Sequence, residues 1–132
     1  DEGPGLGLGI VVEPERGVVG LRVQVVGDLE DDVEVGRGLE VLAVGRIHKV
    51  DDSTGQVRFM AVDSRHERKG YGSKLLVSLE QVAQEMRLRR VILQARENAI
   101  PFYQHHGYRV IEKTFLLFNE IQHYLMQKQL GD

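Results

Sequence analysis

The chain contains no cysteine. A disulfide framework is therefore excluded, and so is a thiolate metal site. No apolar run approaches membrane-spanning length, and no signal-peptide pattern opens the chain. No membrane partner is expected, and a cytoplasmic location is the default. A strong basic stripe is missing as well, which argues against a general nucleic-acid surface. Helical periodicity is missing before residue 70, and no internal repeat stands out. An initiating Met is also missing, as in a piece of a longer protein.

What is present is ordinary for one globular domain with one core: 132 residues, 42% apolar and 28% charged. The net charge of −3 hides an asymmetry. Residues 1–40 carry ten acidic and three basic side chains, so the remainder is positive by about four. A mildly basic second part suits a small anionic ligand. The first forty residues also hold nine of the fifteen glycines.

The coarse pattern is read from glycine punctuation and apolar spacing. "IVV" (Ile10–Val12) and "LRVQVV" (Leu21–Val26) read as strands, and "GDLEDDVEVGRG" as an acidic turn or loop with room for a short strand at Val33–Val35. "LEVLAVGRIHKV" reads as a strand and "DDSTG" as a turn. In "QVRFMAV" simple alternation puts Val57, Phe59 and Ala61 on one face and Arg58, Met60 and Val62 on the other. Leu75, Leu76, Leu79, Val82, Ala83 and Met86 form one stripe, which predicts a helix of about four turns beginning at or just after Gly72. "RRVILQA" has the continuous apolar run of a strand covered on both faces. "NAIPFYQHHG" reads as a short helix with Pro101 in its first turn and Gly107 as a left-handed cap. Two further strands close the chain. Such an order makes an α/β or α+β sheet with helices packed on it.

The stretch "RKGYGSKLL" carries the chemistry. A helix start offers N–H groups and the positive end of a dipole, and glycines let a phosphate approach the backbone. Spacing alone leaves two readings open, an anion site and a plain tight turn. The pattern matches neither the P-loop nor the dinucleotide fingerprint.

Further residues extend the pattern. "VRFMAVDSRHERKGYGSKLL", then "RRVILQAREN", then "AIPFYQHHGYRV" resembles the GCN5-related N-acetyltransferase (GNAT) family over roughly residues 39–130. Ala99, Phe102, Tyr103, Gly107 and Tyr108 fit its Ala-x-x-Phe-Tyr-x-x-x-Gly-Phe/Tyr element, and "IQHYLMQK" is similar to one branch with Ile-x-His in the last strand. "VGRIHKVDDSTGQVRFMAV" and "QARENAIPFY" look like the acetyltransferase-like half of bacterial acetyltransferase–thioesterase fusions. The resemblance implies a mixed, mostly antiparallel twisted sheet with helices packed on it. It divides the chain into an atypical β-rich, glycine-rich segment, residues 1–38, and an acyl-CoA-binding core, residues 39–132, of the same domain. It also implies that Arg68, Lys69, Gly70, Tyr71, Gly72 and Ser73 wrap the CoA diphosphate. Met60, Ala61 and Val62 would pair with the pantetheine amides, with Asn98 and Phe102 also at the cofactor. The strand carrying Met60 is expected to splay from "VILQA". Two departures stand out: Glu67 occupies the place of the usual Arg or Gln, and residues 1–38 lack the two helices that normally wall the acceptor site.

Direct acyl transfer needs a proton for the departing thiolate and a base for the amine. By the same resemblance Tyr103 is the acid, the alternative being a tyrosine that packs the helix on the sheet. His123 is the candidate base, the alternative being a hydrogen-bonded structural histidine. His105 and His106 read as cap or surface residues, and Glu97 as a solvated loop residue. The histidines lack metal spacing, so no metal is expected. The reading is an acetyl-CoA-dependent N-acyltransferase acting on a small-molecule or protein amine, with a homodimer or a fused partner domain as possible company. Its rival is a non-catalytic acyl-CoA-binding or interaction module.

Overall fold

Strand-forming runs before residue 70, followed by helix–strand alternation, build one continuous sheet in the computed structural model, which describes residues 11–12, 21–26, 32–37, 40–63, 65 and 70–131. The strands are β1 (Val11–Val12), β2 (Leu21–Val26), β3 (Asp32–Arg37), β4 (Glu40–Lys49), β5 (Thr54–Val62), β6 (Arg90–Arg96), β7 (Arg109–Leu117) and β8 (Ile121–Gln129). Helix α1 spans Tyr71–Glu85 and α2 spans Ile100–His105, preceded by a 3₁₀ turn at Glu97–Ala99. Sheet order is β1-β2-β3-β4-β5-β6-β8-β7. Only β5 and β6 run parallel; the other neighbours are antiparallel. This is the expected mixed, mostly antiparallel α+β fold. The glycine-rich stretch at residues 3–9 and Ile10 lie outside the described residues.

Helix α1 follows its apolar stripe. Leu75, Leu76, Leu79, Val82 and Ala83 are buried, while Met86 caps the C-terminus half-exposed. Each buried leucine contributes about 1.5–3 kcal/mol by leaving water. Val33, Val35, Ala43, Ile47, Leu93 and Met126 complete the core from the sheet. The helix starts at Tyr71, one residue before the expected position, because Gly70 takes the left-handed conformation (φ 85°) that sets the chain into it. Helix α2 ends as expected: Gly107 is left-handed (φ 94°), and the N–H groups of Gly107 and Tyr108 bond to the carbonyls of Gln104 and Tyr103.

Three expectations need correction. The short strand at Val33–Val35 is a six-residue strand paired on both sides, since Val33 and Val35 bury into the core. The alternation in β5 is interrupted: Ile47 lies opposite Val57 and Arg46 opposite Phe59, so Arg58 is an extra residue, a β-bulge. Val57, Met60 and Val62 consequently share the core side, and Phe59 is 46% exposed. Finally, β6 is not covered on both faces. Val91, Leu93 and Ala95 are buried, but Ile92 and Gln94 are only partly so. Both described helices lie on one face: Ser73 of α1 bonds to His106 at the end of α2, and Tyr108 reaches Glu80 of α1.

Candidate active site

The site is assembled where the sheet opens. The β5–β6 ladder runs through Thr54↔Arg90, Gly55↔Val91 and Gln56↔Ile92 and stops there. The next residues of β5 form the bulge, which bends a strand and raises its twist. β6 continues to Arg96, paired only with β8 over that stretch. Met60, Ala61 and Val62 thus lie on a strand edge that β6 does not close, with main-chain groups able to receive a ligand's amides.

Helix α1 begins beside the end of that edge. A Cβ at Gly72 would lie 3.7 Å from Val62 and 3.6 Å from Phe102, both ordinary contacts. Gly72 therefore sits between β5 and α2. The first turn of any helix presents N–H groups that have no acceptor within it. No acidic residue lies in the first turn of α1, and its N-cap residue, Gly70, has no side chain with which to cap it. Among the described residues a Cβ at Gly70 would meet nothing within 4 Å, and its φ of 85° lies in the left-handed region that favours glycine. Lys74, in the next turn, is buried. Arg68, Lys69, His66 and Glu67 lie outside the described residues.

Tyr103 projects from α2 into this corner. Its hydroxyl lies 4.0 Å from the Met60 sulfur, its ring stands edge-on to Phe102 at 5.1 Å, and Tyr108 packs edge-on against it at 5.9 Å. Burial raises its pKa above the usual phenol value, so it stays protonated at neutral pH. A thioether is a weak acceptor, which leaves the phenolic proton available to a better one.

His123 is placed elsewhere. Leu93, Ala95 and Met126 are buried beneath the helices, and Leu93 lies opposite Met126. Alternation then puts Arg96 and its partner His123 on the other face of the sheet. His123 is buried, with the Phe115 ring stacked on it at 4.3 Å and 10°. Its Nδ1 lies 3.0 Å from the Ile121 carbonyl, which can only accept. Nδ1 therefore carries the proton, and in the neutral ring Nε2 keeps its lone pair. The fold gathers Met60, Val62, Gly72, Phe102 and Tyr103 at one corner and sets His123 across the sheet. Asn98 joins Arg96, Glu97, Glu120, Ile121 and Gln122 in lining a cleft of about 430 Å³ at the end of β6, beside the β7–β8 turn.

Sequence reasoning missed a polar set behind this corner. Tyr108 Oη donates to Glu80 at 2.8 Å and Lys128 Nζ to the other oxygen at 2.9 Å. Ser73 Oγ lies 2.8 Å from His106 Nε2. These partners are tens of residues apart, so no local spacing announces them. Among the described residues no group of three or more His, Asp or Glu is placed to hold a metal ion, and no helix is long and apolar enough to cross a membrane.

The family model for the acetyltransferase (GNAT) family matches residues 25–108. The chain belongs to that family. It is 31% identical over 106 residues to the uncharacterized N-acetyltransferase YjcF of Bacillus subtilis (strain 168), covering 78% of this chain and 75% of the relative. Among solved structures it is similar to Ard1 from Thermoplasma volcanium (TM-score 0.72, 21% identity, 79% of this chain and 73% of the other). It is also similar to a GNAT family acetyltransferase from Elizabethkingia anophelis with acetyl-CoA bound (TM-score 0.69, 13% identity, 95% and 88%). Membership implies acyl transfer from acetyl-CoA to an amine, and the two structural likenesses bear on the fold.

Proposed function

We propose that this GNAT chain acetylates a primary amine by direct transfer from acetyl-CoA, with Tyr103 as acid and His123 as base. The observation that carries this reading is the ladder that ends at Gln56↔Ile92, next to a glycine-started helix and a protonated phenol. The residues fit the donor. The amides of Gly70 to Ser73, with Arg68 and Lys69 before them, hold the diphosphate. The β5 edge at Met60–Val62 pairs with the pantetheine amides, and a backbone N–H there faces the thioester oxygen. Phe102 flanks the arm at this corner, and Asn98 approaches it from the cleft at the end of β6.

When bound, acetyl-CoA supplies the activated acyl group; the chain's part is orientation and proton transfer. As the amine nitrogen bonds to the carbonyl carbon and the carbon–sulfur bond breaks, Tyr103 gives its proton to the sulfur. His123 Nε2 takes the proton the amine loses. The acid and the base lie on opposite faces of the sheet, which suits a donor and an acceptor that approach from opposite sides.

The acceptor is a small-molecule or protein amine. Residues 1–38, kept in the same domain as residues 39–132, show no helical period in their sequence that would form the family's acceptor wall. A second copy or a fused partner domain supplies that wall. One observation favours the second reading, an acyl-CoA-binding module: Phe115 covers the ring of His123. Mass-spectrometric turnover with acetyl-CoA and a panel of amines separates the two. Acetylated product supports transfer, whereas tight CoA binding without product supports the module. Gly70→Val should weaken CoA binding with the fold intact, because a β-branched residue is disfavoured at φ 85° in the loop that must hold the diphosphate. Calorimetry checks this.

A further inference from the structure

The contact between Ser73 and His106 joins the first turn of α1 to the end of α2. Ser73 belongs to the loop assigned above to the diphosphate, and the present inference rests on that assignment. A hydroxyl has one proton to give. If Nε2 of His106 is bare, Ser73 must donate to it, and the serine then turns only lone pairs toward the loop. If Nε2 carries a proton, the ring donates to Ser73 Oγ and the hydroxyl proton is released to a phosphate oxygen. The neutral ring can take either role; the charged ring can take only the second.

We propose that His106 is a positioning residue for the CoA diphosphate: it orients the Ser73 hydroxyl, and its protonation makes that hydroxyl a donor to phosphate.

The neighbours of His106 allow this titration. Glu80 of α1 favours the charged ring, and Lys128 of β8 and His105 of α2 oppose it. Burial lowers the pKa of the free protein's His106, so the ring is mostly neutral at neutral pH. A bound diphosphate favours the cation and raises that pKa. By linkage, CoA must then bind more tightly as pH falls through the imidazole range. The Phe102 ring, 5.0 Å from His106, holds the imidazole against α2.

The test is calorimetric titration of CoA into the full chain between about pH 5.5 and 8. Wild type is compared at each pH with His106→Gln, Ser73→Ala and His105→Gln, so that CoA's own titration cancels. Pantetheine, which lacks the diphosphate, is the control ligand. The expected result is an affinity for CoA that rises about three- to tenfold on acidification beyond that of His106→Gln. Ser73→Ala should lose the same increment, His105→Gln should keep it, and pantetheine should show none. Parallel profiles for wild type and both His106→Gln and Ser73→Ala overturn the inference while leaving the CoA site standing. If wild type binds no CoA at any pH, the site assignment and this inference fall together. Circular dichroism identifies a variant that has not folded, and Ser73→Ala, a small truncation, then carries the test.

Discussion

The two faces of the sheet differ in how they are stabilised. The helix side centres on a closed apolar core, in which Leu75, Leu76, Leu79, Val35 and Ile47 are fully buried, with the Glu80–Tyr108–Lys128 set beside it. The other side is held by polar pairs and half-covered rings. Arg46 bonds to Asp32 at 2.6 Å, Thr114 to Gln94 at 2.6 Å, and Phe115 lies over His123 while itself 44% exposed. The difference teaches where a substitution reads as stability and where it reads as chemistry. On the helix side even Tyr103 doubles as packing, so function there must be separated from folding by removing one atom at a time.

The largest expected effect comes from such a removal. Tyr103→Phe keeps the ring and its contacts with Phe102 and Tyr108 but deletes the acid. Turnover should fall about 10²–10⁴-fold with acetyl-CoA affinity near that of wild type, as steady-state kinetics and calorimetry will show. On the opposite face, His123→Gln should lower turnover as well, with acetyl-CoA affinity near that of wild type. Turnover unchanged in that variant would remove His123 from the mechanism.

A second pair contrasts the faces in stability. Leu79→Ala empties a fully buried site and should cost about 2–5 kcal/mol in chemical denaturation. Phe59→Ala, on the far side of the bulge and 46% exposed, should cost less, about 1 kcal/mol. Equal losses would mean that the outer face is packed by something the described residues do not supply.

The polar set behind α1 gives a pH signature. Burial, with Glu80 alongside, pushes the Tyr108 pKa far above the phenol range, while an unfolded tyrosine ionises near pH 10. The folded pKa is the raised one. The stabilisation is therefore complete below about pH 10 and is lost as pH rises beyond it, by about 1.4 kcal/mol per pH unit. Tyr108→Phe should be less stable at pH 7, where it lacks the bond to Glu80, and should show a shallower alkaline decline. Urea denaturation between about pH 8 and 11 measures both.

The smallest effect belongs to the outer ion pair. Asp32→Asn removes one partner of Arg46, but both side chains are substantially exposed. A loss of about 0–1 kcal/mol, decreasing with added salt, is expected from thermal or chemical unfolding.

Much of this molecule was legible locally. The stripe from Leu75 to Ala83 specified α1 because a helix buries one side with a period near 3.6. Gly107 marked the end of α2 because a left-handed backbone is needed there, whereas α1 begins after left-handed Gly70 and not at the expected Gly72. The motif around Phe102 and Tyr103 located the corner where β5, α1 and α2 meet. Family membership followed from the same stretches in the same order.

Tertiary structure alone decided the rest. Residue types in β5 do not say where β4 will accept one residue fewer, so the bulge at Arg58, and with it the facing of Phe59 and Met60, emerged only from pairing. The side on which His123 falls depends on its register with Arg96, set by a strand 27 positions away. The Ser73–His106 and Glu80–Tyr108 contacts span 33 and 28 positions, beyond the reach of any helical or strand period. Local sequence determines which elements form, because turns and apolar stripes act over a few residues. Which side chains meet across the sheet is decided by packing the whole chain at once.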